Sequence, residues 1–205
     1  MSMSQRVAAE ETADRRTRRR LERSNDVYLA AVQLFIDQGY DATTMDDIAA
    51  RADVARASVF NYFPRKTLFL DEWAFRRRHQ AVAAVRLEHL EDDSIGDTLA
   101  RYFDELARVN TATRSETVSL MNAAVTTTNI LSEPALGHEL TIYIAQASDR
   151  GELRPEVDPD QAGLLLATGY FATVSRRIAV EPVPFDLQRQ LHGVLAIVLA
   201  GILEP

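Results

Sequence analysis

Residues 41–66, DATTMDDIAARADVARASVFNYFPRK, decide the fold, because they read as two short helices joined by a tight turn. The first helix begins at Thr43 or Thr44, whose hydroxyl can accept a hydrogen bond from a free backbone amide of the first turn. Two aspartates, Asp46 and Asp47, follow on the favourable side of the helix dipole. The stretch therefore starts with a well-capped helix about two turns long.

The second short helix is predicted from about Ala55 to Phe63, after a turn at Asp53. Aspartate tolerates a left-handed backbone better than most residues do, which suits a tight turn that lacks glycine. Val54, Val59 and Phe63 are the predicted core-facing residues. The side chains left largely outside are Arg56, Ala57, Ser58, Phe60, Asn61 and Tyr62.

This exposed set is typical of a helix that reads DNA. The major groove is about 12 Å wide and admits one helix, and in a helix-turn-helix the second helix carries the base contacts. Two short helices crossing at a small residue also occur in ordinary helical bundles, so the stretch alone leaves that alternative open.

Composition and charge are compatible with a DNA-binding protein. The net charge of the 205-residue chain is −7, but residues 1–66 carry +1 and the remainder −8. Cysteine is absent, which excludes disulfides and thiolate metal sites. The N-terminus has no apolar run, and the most apolar window, residues 193–203, is too short to span a bilayer. We expect a cytoplasmic protein that does not enter a membrane.

The N-terminal 22 residues are predicted to form a basic arm, and residues 1–14 of it to be disordered. A solvated tail is one interpretation of its arginines. Beside a DNA-reading helix, an arm that contacts phosphates or the minor groove is the alternative. Its arginines are Arg15, Arg16, Arg18, Arg19 and Arg20.

Three spaced motifs resemble one known family. Residues 30–40 read Ala-Ala-x-x-Leu-Phe-x-x-x-Gly-Tyr, residues 43–49 read Thr-Thr-Met-x-x-Ile-Ala, and residues 57–66 read Ala-Ser-Val-Phe-Asn-Tyr-Phe-Pro-x-Lys. In this order they resemble the DNA-binding domain of the tetracycline-repressor-like (TetR) transcriptional regulators. The resemblance covers about residues 23–70.

The resemblance implies a homodimer that binds a double-stranded operator and a small-molecule effector. Effector binding would tilt the helix from Arg65 onward and move the reading helices off the operator. By position, Arg56, Ala57, Ser58 and Phe60 correspond to base-facing residues, and Thr44, Asn61, Tyr62 and Lys66 to phosphate contacts. The chain departs from the family pattern at Asp53, Ala55 and Phe60, where glycine, serine and tyrosine are usual.

The rest of the chain is predicted to be helical. A connecting helix from about Arg65 to Leu90 is followed by a helix capped at Ser94, and Asp158-Pro159 marks a further helix start. The helices at residues 159–180 and 186–203 are predicted to pair with their copies across a two-fold axis, although burial within one chain is the alternative. The predicted interface residues are Leu164, Leu187, Leu191, Val194, Leu195, Val198, Leu199 and Ile202.

Catalytic and metal-binding patterns are not found in the sequence. The histidines are scattered, and neither H-E-x-x-H nor a nucleotide-binding motif occurs, so we expect no enzyme, no metal and no cofactor. An excess of aromatic and flexible residues predicts a mainly apolar ligand cavity, although each residue could also be simple core. The candidates are Trp73, Tyr102, Phe103, Met121, Asn122, Tyr143, Tyr170 and Phe171.

The sequence thus predicts an all-α protein with three parts: the arm at residues 1–22, a helix-turn-helix domain at 23–68, and a helical ligand-binding and dimerisation domain at 69–205. The predicted function is a homodimeric transcriptional regulator, a repressor released from a pseudo-palindromic operator by a mainly apolar ligand. Two alternatives are a helical ligand-binding or scaffold protein without specific DNA binding, and a small all-α hydrolase or metal protein.

Overall fold

The computed structural model describes residues 3–86, 93–128, 130–131 and 134–203, and for residues 3–14 only the backbone. Within those ranges the regular structure is helical, apart from one isolated antiparallel bridge between Leu153 and Leu203. The prediction of an all-α fold is confirmed. The helices are α1 (Met3–Gln38), α2 (Met45–Arg51), α3 (Arg56–Tyr62), α4 (Thr67–Arg86), α5 (Ile95–Ala112), α6 (Arg114–Thr127), α7 (Ala135–Asp149), α8 (Pro159–Ile178) and α9 (Leu187–Ile202).

The chain divides into two compact units, Met1–Phe69 and Leu70–Pro205. The sequence predicts the domain boundary between residues 68 and 69, one residue before the observed one. The end of the connecting helix, predicted at Leu90, lies outside the described residues, because α4 is described to Arg86.

The first unit packs three helices around aromatic side chains. Phe35 of α1 lies 5.0 Å from Tyr40 and 6.0 Å from Phe69, measured between ring centroids, and Phe63 stacks on Phe69 at 4.1 Å. Val59 is fully buried beside them. Because this small core anchors only one edge of α3, the rest of that helix remains at the surface.

The N-terminal segment differs from the prediction of a disordered arm. Helix α1 begins at Met3 and continues without a break through the arginine run. The physical reason is composition: residues 3–23 contain seven Arg, three Ala and three Glu, which are good helix formers. Arg18 and Glu22 also pair one turn apart.

The second unit holds α5, α6, α7, α8 and α9 together with α4 from Leu70 onward. Helices α7 and α8 cross closely, because Gly163 has no side chain: a Cβ there would lie 2.7 Å from the carbonyl oxygen of Gly137. Helix α9 packs against both α5 and α8. The predicted caps hold, since Ser94 accepts from the amide of Asp97 and Asp158 from that of Asp160.

The predicted dimer seam on α9 requires a correction. Four of the residues assigned to it are at most 7% exposed within the single chain, where they pack between α5 and α8: Leu187, Leu191, Leu195 and Val198. Val194, Leu199 and Ile202 are half-buried and Leu164 is exposed. The apolar period therefore identified a buried stripe, but most of that stripe is covered by the chain itself.

Candidate nucleic-acid interface and effector cavity

Helix α2 is held in place by a complete capping box. Thr44 Oγ1 accepts a hydrogen bond from the amide of Asp47 at 3.1 Å, and Asp47 Oδ2 accepts from the amide of Thr44 at 2.8 Å. The carboxylate of Asp47 also accepts from the Thr44 hydroxyl at 2.8 Å. The bond from the Thr44 amide first, and then the bond from the Thr44 hydroxyl, hold the pKa of the Asp47 carboxyl below its usual value. The sequence left the cap open between Thr43 and Thr44, and the structure places it at Thr44.

The turn between α2 and α3 depends on Asp53. Its φ of 51° places the backbone in the left-handed region, as predicted for this position. The amide of Val54 then bonds the carbonyl of Ala49 at 3.1 Å and closes the turn. Ala55 stands at the start of α3 and gives it no side-chain cap.

Helix α3 exposes the face that the sequence assigned to DNA. Val59 is its one buried residue. Of the predicted base-facing residues, Arg56, Ala57 and Phe60 are exposed and Ser58 is half-buried. Of the predicted phosphate contacts, Thr44 and Asn61 are exposed and Tyr62 is half-buried.

The Arg56 guanidinium is held in place by two weak contacts. Its Nε lies 3.0 Å from Asp46 Oδ1 at the start of α2, and its Cζ lies 5.4 Å from the ring centroid of Phe60. Both partners of the ion pair are largely exposed, so the pair contributes little to stability and can open at low cost.

The ammonium of Lys66, a predicted phosphate contact, is bonded within the protein, which the sequence did not predict. Lys66 precedes α4, and its ammonium donates to the carbonyls of Tyr40 at 2.8 Å and Thr43 at 3.0 Å, while Nζ lies 4.3 Å from the Tyr40 ring centroid. In the free protein this ammonium therefore ties the α1–α2 loop to the segment after α3.

The arginines predicted to form an arm, Arg15, Arg16, Arg18, Arg19 and Arg20, are exposed on α1. They occupy a helix and not an extended tail, so their side chains point to several sides of its axis.

The second unit contains a small chamber of about 20 Å³ and, beside it, a larger cleft of about 270 Å³. Ala74, Ile130, Leu136 and Phe171 line both. Four of the eight predicted cavity residues line the chamber, namely Trp73, Met121, Tyr170 and Phe171. The other four do not line the chamber or the cleft: Tyr102 and Phe103 are core, Tyr143 packs on Tyr102, and Asn122 is exposed.

Two arginines in the cavity wall were missed. Arg77 is 5% exposed, and its guanidinium donates to Glu116 at 3.1 Å and to Thr113 Oγ1 at 2.7 Å, while its Cζ lies 4.1 Å from the Trp73 ring centroid. Arg78 pairs with Glu139 at 3.2 Å. Both belong to a run of three arginines in the sequence. Their burial could not be predicted, because the residues that pair with them lie far away along the chain.

A buried amide connects α5 to α8 beside the chamber. Asn110 Nδ2 donates to the carbonyl of Leu106 at 2.6 Å and to the Tyr170 hydroxyl at 2.9 Å. Burial raises the pKa of Tyr170, so this phenol is protonated at neutral pH.

In the described ranges no group of three or more His, Cys, Asp or Glu side chains could hold a metal ion. Across the same residues, no helix is both long enough and apolar enough to cross a bilayer.

Comparisons with known proteins agree with this geometry. Residues 28–72 match the family model described as bacterial regulatory proteins, tetR family. The uncharacterised HTH-type transcriptional regulator YvkB of Bacillus subtilis strain 168 is 36% identical over 70 residues, which are 34% of this chain and 36% of that protein. The chain thus matches about a third of the length of this relative.

Two solved structures share the fold over nearly the whole chain. Thermus thermophilus FadR, a TetR family repressor in complex with lauroyl-CoA, superposes with a TM-score of 0.73 at 24% identity and covers 89% of this chain and 96% of its own. SmeT, the repressor of the Stenotrophomonas maltophilia efflux pump SmeDEF, has a TM-score of 0.69 at 21% identity, covering 88% and 90%. Over residues 28–72, the helix-turn-helix region of the chain is therefore similar to the tetR family of bacterial regulatory proteins.

Proposed function

We propose that the chain is a homodimeric transcriptional regulator, a repressor that a small, mainly apolar ligand releases from a pseudo-palindromic operator. The observation that carries this proposal is the exposed face of α3, which buries Val59 and leaves Arg56, Ala57 and Phe60 at the surface. A helix anchored along one edge can enter the major groove without disturbing its own core.

The proposed roles follow from side-chain chemistry. Arg56 is the candidate base reader, since a guanidinium matches the O6 and N7 acceptors of guanine. Phe60 has no hydroxyl and suits contact with a thymine methyl group. Thr44, Asn61 and Tyr62 would contact DNA phosphates on either side of α3. The exposed arginines of α1 would add positive charge near the phosphate backbone of the DNA.

The proposed dimer surface keeps Leu164 of the predicted interface and replaces its buried α9 residues with exposed ones. Leu164 and Leu165 of α8 and Ile197 of α9 are exposed, Ile197 at 78%. Leu165 and Ile197 border one cleft, and at Gly193 and Gly201 a Cβ would meet nothing within 4 Å, so a second backbone can approach closely. A two-fold dimer would place two copies of α3 about 34–36 Å apart, the spacing of successive major grooves.

The cavity in the second unit is the proposed effector site. Its lining is mainly apolar, and the related fold of Thermus thermophilus FadR is known with lauroyl-CoA. Trp73 and Arg77 of the lining belong to α4, so a ligand there would act on this helix. The ligand must favour one arrangement of the dimer over the other, because equal affinity for both shifts nothing.

A salt titration of DNA binding tests the proposal. Fragments are selected from genomic DNA by the purified full chain, and their Kd is measured by mobility shift from low to high salt. We expect the logarithm of the binding constant to fall linearly with the logarithm of salt concentration. Absence of any selected fragment would favour a helical ligand-binding or scaffold protein without specific DNA binding.

A further inference from the structure

Two buried N–H groups at the chamber have no acceptor in the described part of the chain: Trp73 Nε1 and Arg77 Nε. Their side chains lie one turn apart on α4 and are 1% and 5% exposed. The guanidinium stacks over the indole at 4.1 Å, which fixes both groups. Buried donors are nearly always paired, so two unpaired ones at one cavity point to a bound acceptor.

Tyr170 adds a third donor. Asn110 must present its nitrogen to the carbonyl of Leu106, because that oxygen only accepts. The same nitrogen donates to the Tyr170 oxygen, which leaves the phenolic proton of Tyr170 to be donated elsewhere. Tyr170 lines the same chamber as Trp73 and Arg77.

The charges around the chamber are already balanced. The guanidinium of Arg77 pairs with Glu116 at 3.1 Å and that of Arg78 with Glu139 at 3.2 Å. The described lining of the chamber contains no carboxylate, and apart from the two arginines, the Tyr170 hydroxyl and the Trp73 N–H it is apolar. The wall therefore offers hydrogen-bond donors without a net charge to be neutralised by a ligand.

The chamber and the cleft differ in size and would hold different parts of the ligand. The chamber, at about 20 Å³, has room for a group little larger than a water molecule, while the adjoining cleft has about 270 Å³. A carbonyl oxygen fits the first and a hydrocarbon body fits the second.

We propose that the effector is an uncharged, largely apolar carbonyl compound whose oxygen accepts hydrogen bonds from Trp73, Arg77 and Tyr170. This inference rests on the proposed function, which assigns the cavity to the effector. It goes further by excluding cationic ligands and by ranking a neutral carbonyl above a carboxylate, because the cavity cations already have carboxylate partners.

Four probes of one chain length test the ranking: 2-nonanone, nonanoate, nonylammonium and nonane. Trp73 is the one tryptophan of the chain, so its emission reports the chamber directly in the full-length protein. We expect 2-nonanone to shift the emission at the lowest concentration, nonanoate to bind at least fivefold more weakly, and nonylammonium to give no shift. Nonane binding as tightly as 2-nonanone would overturn the proposal, and so would tighter binding of nonanoate.

Two variants and one matched control test the donors by calorimetry with 2-nonanone. Tyr170→Phe removes the phenolic donor, and Arg77→Lys keeps a cation for Glu116 but removes Nε–H. Each is expected to raise Kd about fivefold, the usual effect of one hydrogen bond. Tyr143→Phe removes a hydroxyl that lies outside the chamber lining and should leave Kd unchanged. Equal Kd values for folded Tyr170→Phe and the parent protein would contradict the inference.

DNA binding separates this inference from the proposed function. Failure of 2-nonanone to bind, with salt-dependent DNA binding intact, would overturn the ligand chemistry alone. Binding of 2-nonanone by a chain that selects no DNA would support the chemistry and overturn the regulator function. If Arg77→Lys fails to fold by circular dichroism, the ranking of the four probes on the parent chain still decides.

Discussion

At the scale of single residues, Arg56 is the most informative position on α3. Its guanidinium is exposed and pairs with Asp46, an exposed carboxylate. We expect Arg56→Ala to cost about 1–3 kcal/mol at the site that contains its preferred base and to relax preference there. Mobility shifts on a panel of operators with single substitutions measure this.

Asp46→Asn is the control for Arg56→Ala. It frees the guanidinium without removing it, so sequence preference should persist. A uniform loss of affinity on every operator from Arg56→Ala would show that Arg56 contacts phosphate and not a base.

Lys66 is expected to affect stability as well as DNA binding. Its ammonium donates to three loop carbonyls, at 2.8, 3.0 and 3.4 Å. Lys66→Met leaves these acceptors without their partner and should lower the free energy of unfolding by roughly 1–3 kcal/mol. Thermal unfolding without DNA measures the effect. Arg65→Met, at the exposed neighbouring position, should unfold like the parent protein.

At the scale of helices, the capping box couples α2 to pH. Thr44→Ala removes the hydroxyl that accepts from Asp47 and should cost about 1 kcal/mol, whereas Thr44→Ser should retain most of it. The pKa of Asp47 is lowered in the folded chain. Its contribution is therefore present above the unfolded value near 3.8 and is lost as pH falls through the lower folded value.

The measurement for this helix is acid unfolding of the parent, Thr44→Ala and Thr44→Ser proteins. The parent and the serine variant should resist acid alike below pH 4, since both keep the hydroxyl. A serine variant as acid-sensitive as the alanine variant would show that the hydroxyl at position 44 does not contribute to the lowered pKa of Asp47.

The close crossing of α7 and α8 depends on Gly163. A Cβ there would lie 2.5 Å from Thr141 Oγ1 and 2.7 Å from the carbonyl oxygen of Gly137, and a backbone oxygen cannot yield. We expect Gly163→Ala to lower stability by about 1–3 kcal/mol despite the better helix propensity of alanine.

Gly96→Ala in α5 is the matched control. Its Cβ would meet ordinary contacts at 3.5 and 3.6 Å. This variant should be neutral or more stable than the parent by up to about 1 kcal/mol in chemical denaturation. Equal stability of the two variants would show that α7 and α8 can separate at no cost.

The sequence could predict those features of the fold that depend on neighbours in the chain. The left-handed turn at Asp53, the cap at Ser94 and the exposed face of α3 follow from local spacing and side-chain chemistry. The burial of Arg77 could not be predicted in this way, because its partners Thr113 and Glu116 come some 36–39 residues later. A run of three arginines otherwise indicates a solvated face.

At the scale of the whole molecule, the same limit explains the error on α9. An apolar period indicates that Leu191 and Leu195 are covered, but it does not indicate by which chain. Here α5 and α8 cover them. What remains for a partner is the smaller set of exposed side chains, Leu164, Leu165 and Ile197.

Ile197→Glu is the sharpest test of the proposed dimer. At 78% exposure this side chain has few contacts within the chain, so a glutamate should leave the folded monomer intact. At a two-fold interface the same change would place two like charges against an apolar surface, and both would lose solvation. We expect sedimentation to show a monomer, and operator affinity to fall steeply because the two half-sites are no longer bound together. Ile142→Glu on α7 alters a side chain that is 58% exposed and borders a different cleft from that of Leu165 and Ile197. That control should remain dimeric and bind DNA. If the Ile197→Glu protein also remains dimeric, the interface does not include the α8–α9 surface.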